Sequence, residues 1–200
     1  KLPELVSLRS LSTAALSPTV VILDFGSQFT QLIARAVRSL GVYCEIEPFH
    51  ISGEALKAKN PKALILSGGP SSVREKKSPK IAKTIFDLDV PVLGICYGMQ
   101  LLSHLHKGKV ESGKSREYGA AEIEVLRAEG LFKGFKAGEK AKVWMSHGDH
   151  VGAIPPEAVV TAETNKCVVG FQMGKFHAIQ FHPEVAHTTI GEKLFSNFLF

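Results

Sequence analysis

From Thr19 onward, short runs of β-branched and apolar residues alternate with segments whose apolar positions recur every three to four residues. That alternation predicts right-handed βαβ units feeding a parallel sheet. Residues 20–25 read as a first strand. Leu32, Ile33, Ala36, Val37 and Leu40 then share one helical face, behind a Ser27 N-cap and with Gly41 past the end. Residues 43–49 make a second strand, 54–59 a short helix, and 63–67 a third strand that closes on Gly68-Gly69-Pro70. Residues 80–88 read as helix. Residues 90–95 are almost wholly apolar, as a strand buried on both faces should be, and a helix resumes over 99–106.

The pattern then changes. Residues 121–126, 141–144, 159–164, 168–172 and 176–181 read as strands separated by turn signals, which favours antiparallel pairing. Ile190, Leu194, Phe195, Phe198 and Leu199 mark one face of a closing helix. The fold expected is α/β: a mostly parallel central sheet with flanking helices and a smaller antiparallel portion. Residues 1–18 lack a period, are rich in Leu and Ser, and end at Ser17-Pro18. They are expected to form a tail or leader, with one domain over 19–200.

At 200 residues, 44% hydrophobic and 22% charged, the chain can build a core without disulfides or a structural metal. Its longest apolar runs are strand-sized, which argues against a membrane span. The net charge of +5 comes from scattered lysines and arginines. The densest group, Lys76, Lys77 and Lys80, has no interleaved aromatics and reads as a solvated loop face, so no nucleic-acid partner is expected. Three widely spaced cysteines, Cys44, Cys96 and Cys167, form no C-x-x-C pair; a reducing, cytoplasmic setting is expected.

Chemistry concentrates at a few places. Gly94-Ile95-Cys96-Tyr97-Gly98 stands where a buried strand meets a helix, a nucleophile elbow with Cys in place of Ser. The flanking glycines let strand and helix approach closely, and the helix N-terminus turns partial positive charge toward the sulfur. A cysteine nucleophile needs a base and an orienting group. His182-Pro183-Glu184 follows the strand over 176–181, so in extended backbone His182 and Glu184 project to one side. Gly68-Gly69 offers backbone N–H groups suited to an oxyanion or to a tight turn. Ser146-His147-Gly148-Asp149 reads as a polar loop that either binds a polar substrate or is held by local Asx bonding.

Other formal matches fail on context. Residues 108–115 satisfy the Walker A spacing, but they follow a helix and lead into a strand, the reverse of a P-loop. Asp24-Phe25-Gly26 has no kinase catalytic loop beside it. His104 with His106, and His147 with His150, lack a third ligand of suitable spacing, so no metal site is expected.

Taken together, the motifs resemble those of class I glutamine amidotransferases, most closely the glutaminase domains of GMP synthetases. The resemblance runs from Val20 to Phe200 through Asp24-Phe25-Gly26-Ser27-Gln28, Ser67-Gly68-Gly69-Pro70-Ser71-Ser72-Val73, the Cys96 elbow with Met99-Gln100, Arg116-Glu117-Tyr118-Gly119, Trp144-Met145-Ser146-His147-Gly148-Asp149 and Gln180-Phe181-His182-Pro183-Glu184-Val185. It implies a flavodoxin-like amidotransferase fold with Cys96 as nucleophile, His182 as general base and acid, and Glu184 orienting His182. It further implies an oxyanion hole near Gly69 and Tyr97, and Gly68, Gln100, Ser146, His147 and Asp149 around the substrate glutamine. Ammonia would pass to an ATP-pyrophosphatase partner or domain. ATP and Mg are expected only there, because the S-G-G-x-D phosphate loop is missing after Gly69, and no cofactor is expected in this chain. Two further readings stay open: a regulatory glutamine-binding module with little turnover alone, and the amidotransferase component of another synthetase, such as those making anthranilate, carbamoyl phosphate or CTP.

Overall fold

The computed structural model describes residues 20–165 and 167–200, with the backbone alone for 114–116; the expected tail over 1–18 lies outside the described residues. The first half alternates strand and helix as its periodicity predicts: β1 (Val20–Asp24), α1 (Thr30–Ser39), β2 (Cys44–Pro48), α2 (Gly53–Ala58), β3 (Ala63–Leu66), β4 (Val92–Ile95) and α3 (Tyr97–Leu105). Along β1, Val20 and Ile22 enter one core with Ile33 and Val37 of α1, while Val21 and Leu23 enter the other with Leu56, Leu101 and Leu102. Both faces of the strand are therefore buried, which is why it reads as an unbroken apolar run.

Two local expectations change. The helix expected behind Ser27 starts at Thr30, because the Asp24 carboxylate accepts from Gly26 N at 2.9 Å and from Thr30 Oγ1 at 2.7 Å and holds the intervening residues as a turn. The helix expected over 80–88 is only a short 3-10 turn, Lys83–Asp87. Its Phe86 carbonyl, and that of Leu88 beyond it, accept from Lys175 Nζ at 3.1 and 2.9 Å, so those oxygens are tied to a tertiary partner.

The second half is β5 (Lys109–Val125), β6 (Lys140–Ala153), β7 (Val159–Glu163), β8 (Val168–Met173), β9 (Phe176–Ile179) and α4 (Gly191–Leu199). All strands join one sheet in the order β2-β1-β3-β4-β9-β8-β7-β5-β6. The pairings from β2 to β9 are parallel, in the order of a doubly wound sheet. From β9 through β8, β7 and β5 to β6 they are antiparallel. The sheet is thus mixed, with four pairings of each kind, and the expected predominance of parallel strands does not hold. The long β5–β6 ribbon accounts for the difference. Residues 109–120 are too polar and glycine-rich to read as strand by themselves, yet register with β6 makes them so. The Walker-like segment is itself strand from Lys109, whereas the strand expected there begins only at residue 121. Residues 146–149, expected as a loop, lie inside β6.

Among the described residues no helix is long and apolar enough to cross a membrane. Lys76, Lys77 and Lys80 are exposed, and the three cysteines are unbridged.

Candidate active site

The carboxyl ends of β1, β3, β4 and β9 bring the candidate residues to one edge of the sheet, where open α/β sheets gather their ligands. Cys96 is the junction between β4 and α3. Its backbone N–H donates to Ile179 O of β9 at 2.8 Å, and its own carbonyl accepts from Gln100 N at 3.2 Å. With φ 54 and ψ −105 it occupies a conformation that costs on the order of 1–3 kcal/mol for a residue with a Cβ. The glycines on either side make the bend possible. A Cβ on Gly94 would stand 2.7 Å from the Gly98 carbonyl, and one on Gly98 would stand 2.5 Å from Leu66 O, so only bare backbone fits between strand and helix.

His182 lies three residues past β9. Its backbone N–H donates to Trp144 O of β6 at 3.0 Å, and its carbonyl accepts from Thr188 Oγ1 at 2.6 Å; Thr188 Oγ1 in turn accepts from Trp144 N at 3.0 Å. The side chains of His182 and Glu184 are both buried, and Nδ1–H donates to Glu184 Oε1 at 2.6 Å. That bond commits Nδ1 and leaves Nε2 for Cys96. Burial pushes the His182 pKa down, but hydrogen bonds and charge from Cys96 and Glu184 outweigh it and raise the pKa to about 10. Phe29 packs its ring edge-to-face with the imidazole, centroids 5.1 Å apart. Gly68, after β3, passes directly beneath: a Cβ there would be 3.1 Å from His182 Cε1 and 3.5 Å from Cys96 Cβ.

The remaining expected residues fall into two groups. Tyr97 follows Cys96 directly in the chain, while Gly69 packs against the main chain of Phe25. A Cβ on Gly69 would press to 2.6 Å from Phe25 O, while Tyr97 sends its hydroxyl to Pro79 O at 2.6 Å and begins α3, where a backbone N–H has no intrahelical acceptor. Ser146 contributes its main chain, with Cys96 Sγ 3.7 Å from Ser146 O. Gln100 and His147 instead converge on the Asp149 carbonyl, which accepts from Gln100 Nε2 and His147 Nδ1, each at 2.9 Å. Burial lowers the His147 pKa, against the opposing pull of the Asp149 carbonyl and of Glu117, whose Oε2 lies 3.5 Å from Nε2. Both side chains fix the β6 main chain. Asp149 presents its carboxylate to the loop after β3, taking a hydrogen bond from Ser72 Oγ and an Arg74 contact at 3.3 Å. Together with Pro70, Tyr118 and Gly148, these residues line a cleft of about 690 Å³.

Sequence reasoning missed four contributors: Phe29, Thr188, Ser72 and Arg74. Ser72 stands in a motif that gave it no role; Phe29 and Arg74 act across more than 40 residues of chain, and Thr188 ties the nearby His182 carbonyl to Trp144, 44 residues away. His106 is half-buried and packs against Phe86 and Phe176, with ring centroids at 5.8 and 4.8 Å. Among the described residues no three His, Cys, Asp or Glu side chains are grouped to hold a metal ion.

A family model described as glutamine amidotransferase class-I matches residues 21–200. The chain belongs to the class-I glutamine amidotransferases. Curated relatives of this amidotransferase include the GMP synthase (glutamine-hydrolyzing) of Brachyspira hyodysenteriae, 53% identical over 90% of the chain and 35% of the relative. Another is the protein of that name from Clostridium tetani, 50% identical over 90% of the chain and 36% of the relative. The amidotransferase therefore spans about a third of the length of the curated relatives it matches. Among solved structures, a Thermoplasma acidophilum protein provisionally named as one subunit of GMP synthase superposes with a TM-score of 0.83 at 31% identity, covering 92% of each chain.

Proposed function

We propose that this amidotransferase hydrolyses glutamine to glutamate and ammonia through a thioester on Cys96. The observation that carries the reading is the buried His182–Glu184 pair, 2.6 Å apart, set beside a cysteine at a strand-to-helix elbow. In the reacting form the Cys96 proton resides on His182, whose pKa Cys96 and Glu184 raise to about 10. The sulfur attacks the side-chain amide carbon of glutamine, forming the C–S bond and turning the carbonyl oxygen into an oxyanion. The N–H groups of Gly69 and Tyr97 stabilise that charge. Collapse expels the amine, which takes the proton from His182 and leaves as ammonia. His182, now neutral, removes a proton from water; the hydroxide cleaves the thioester and glutamate departs, restoring the pair. Glu184 holds Nδ1 and stabilises the imidazolium in each half-reaction. Gly68 and the Ser146 main chain contact the glutamine side chain, Asp149 its amino-acid head, and Gln100 and His147 position the strand between them.

The partner proposed is an ATP-pyrophosphatase, as a further domain or a separate chain, that consumes the ammonia in converting XMP to GMP, with ATP and Mg bound there. The names and greater length of the relatives support this branch over other synthetases. A cytoplasmic setting is part of the proposal, supported by that substrate chemistry and consistent with the unbridged cysteines. The test is glutamate release by the chain alone and with such a partner, beside Cys96→Ala. Release lost in Cys96→Ala, with GMP formed from glutamine only when the partner is added, is the expected result. Binding of glutamine without release under either condition points instead to the regulatory module, and release without GMP points to another synthetase.

A further inference from the structure

Two charged residues of the cleft, Arg74 and Glu75, have no part in the chemistry above, and of the two Arg74 is held against Asp149. Arg74 lies in the loop between β3 and β4, its side chain 48% exposed, with Nη1 3.3 Å from Asp149 Oδ1. Ser72 bonds the other oxygen of that carboxylate, and its Oγ also accepts from the Arg74 backbone N–H at 3.2 Å, so a tight local turn fixes Arg74 beside Asp149. An exposed ion pair of this kind adds little to stability. What it does provide is one cationic and one anionic group, side by side, on the wall of a cleft of about 690 Å³.

The same strand leads from that pair to the nucleophile. Asp149 is three residues from Ser146, whose carbonyl oxygen is 3.7 Å from Cys96 Sγ. In glutamine, three carbon–carbon bonds, roughly 4 Å when extended, separate the amide carbon from the carbon that bears the ammonium and carboxylate. A substrate with its amide at Cys96 therefore brings a zwitterionic head to the neighbourhood of a fixed Asp–Arg pair. Resting on the glutaminase reading of this site, we propose that Arg74 is a specificity residue that receives the α-carboxylate of the substrate, while Asp149 takes the ammonium. The Arg74–Asp149 contact then opens into two charge-assisted pairs with the amino-acid head, and glutamine whose carboxylate is esterified or in a peptide bond is discriminated against. A guanidinium suits this task because it presents its donors as a planar fork matched to a carboxylate.

The experiment compares wild type, Arg74→Ala and Arg74→Lys with two electrophiles that label Cys96, followed by mass spectrometry. The first is the diazoketone analogue of glutamine, which carries the amino-acid head; the second is iodoacetamide, which does not. Arg74→Ala is expected to slow diazoketone labelling by about tenfold to a hundredfold, with iodoacetamide labelling within twofold of wild type. Arg74→Lys recovers part of the loss. In steady state the same variant raises KM for glutamine by that factor with kcat nearly unchanged, and leaves KM for glutamine methyl ester where it is in wild type. An unchanged diazoketone rate, or equal slowing of both electrophiles, overturns the assignment of Arg74 while the glutaminase reading stands. A wild-type chain that iodoacetamide labels but that neither the diazoketone labels nor glutamine turns over removes the glutaminase reading and the assignment of Arg74 with it.

Discussion

His182 carries the largest electrostatic consequence of any residue in the site. Its pKa rises from the ordinary 6.5 to about 10 although burial alone would depress it, so Cys96 and Glu184 together outweigh desolvation. A basic group with a raised folded pKa stabilises the fold fully below the unfolded value, and that stabilisation is lost as pH rises through the folded value. The stability difference between wild type and His182→Gln, read from urea midpoints, is therefore expected to shrink steadily from pH 6.5 to about 10. A difference that grows with pH contradicts the assignment. Glu184→Gln tests the partner: an amide cannot stabilise the imidazolium, so the His182 ring titrates at lower pH by NMR and kcat for glutamate release falls roughly a hundredfold or more. At this scale the sequence was informative about which polar side chains come together and uninformative about what supports them. Cys96, His182 and Glu184 stand in short motifs with spacing that restricts geometry. Phe29 and Thr188 are ordinary residues that matter only because the segments after β1 and before α4 are brought to the same edge.

The elements differ in how far local sequence specifies them. β4 and its elbow were fully legible, since an unbroken apolar run and two glycines around a cysteine have few other solutions. Gly98→Ala is expected to cost roughly 1–3 kcal/mol, because a Cβ placed 2.5 Å from Leu66 O forces α3 away from the sheet. Chemical denaturation measures the loss, and a variant as stable as wild type would show that the close approach is dispensable. β6 was half legible. Its inward positions run Ala141, Val143, Met145, His147 and Val151, and the buried polar His147 together with Gly148 breaks the apolar alternation that would have announced a strand. Residues 80–88 failed in the opposite direction: Ile81 and Ile85 have helical spacing, but Lys175 takes the Phe86 and Leu88 carbonyls from a distant turn. Tertiary partners for backbone groups leave no mark on a local pattern.

At the scale of the whole molecule, β9 joins the parallel and antiparallel halves into one sheet and delivers His182 from the seam. Alternating βαβ periodicity made the first half readable, whereas the extent of the β5–β6 ribbon depends on pairing between segments about 30 residues apart, which periodicity does not record. The seam has a physical consequence. Trp144, the single tryptophan of the chain, accepts from His182 N at 3.0 Å, so its fluorescence reports the junction at the site. Urea transitions followed by Trp144 fluorescence and by far-UV circular dichroism are expected to coincide, because losing the ribbon removes the backbone anchor of His182; separate midpoints would show that the halves unfold independently. The most direct test of the account is a rapid acid quench of the chain with glutamine, followed by mass spectrometry of the Cys96 peptide. The account predicts a γ-glutamyl thioester on Cys96 that accumulates in Glu184→Gln, where thioester hydrolysis is slowed, and is absent from Cys96→Ala. Glutamate release that persists in Cys96→Ala, or an adduct on a different residue, would contradict it.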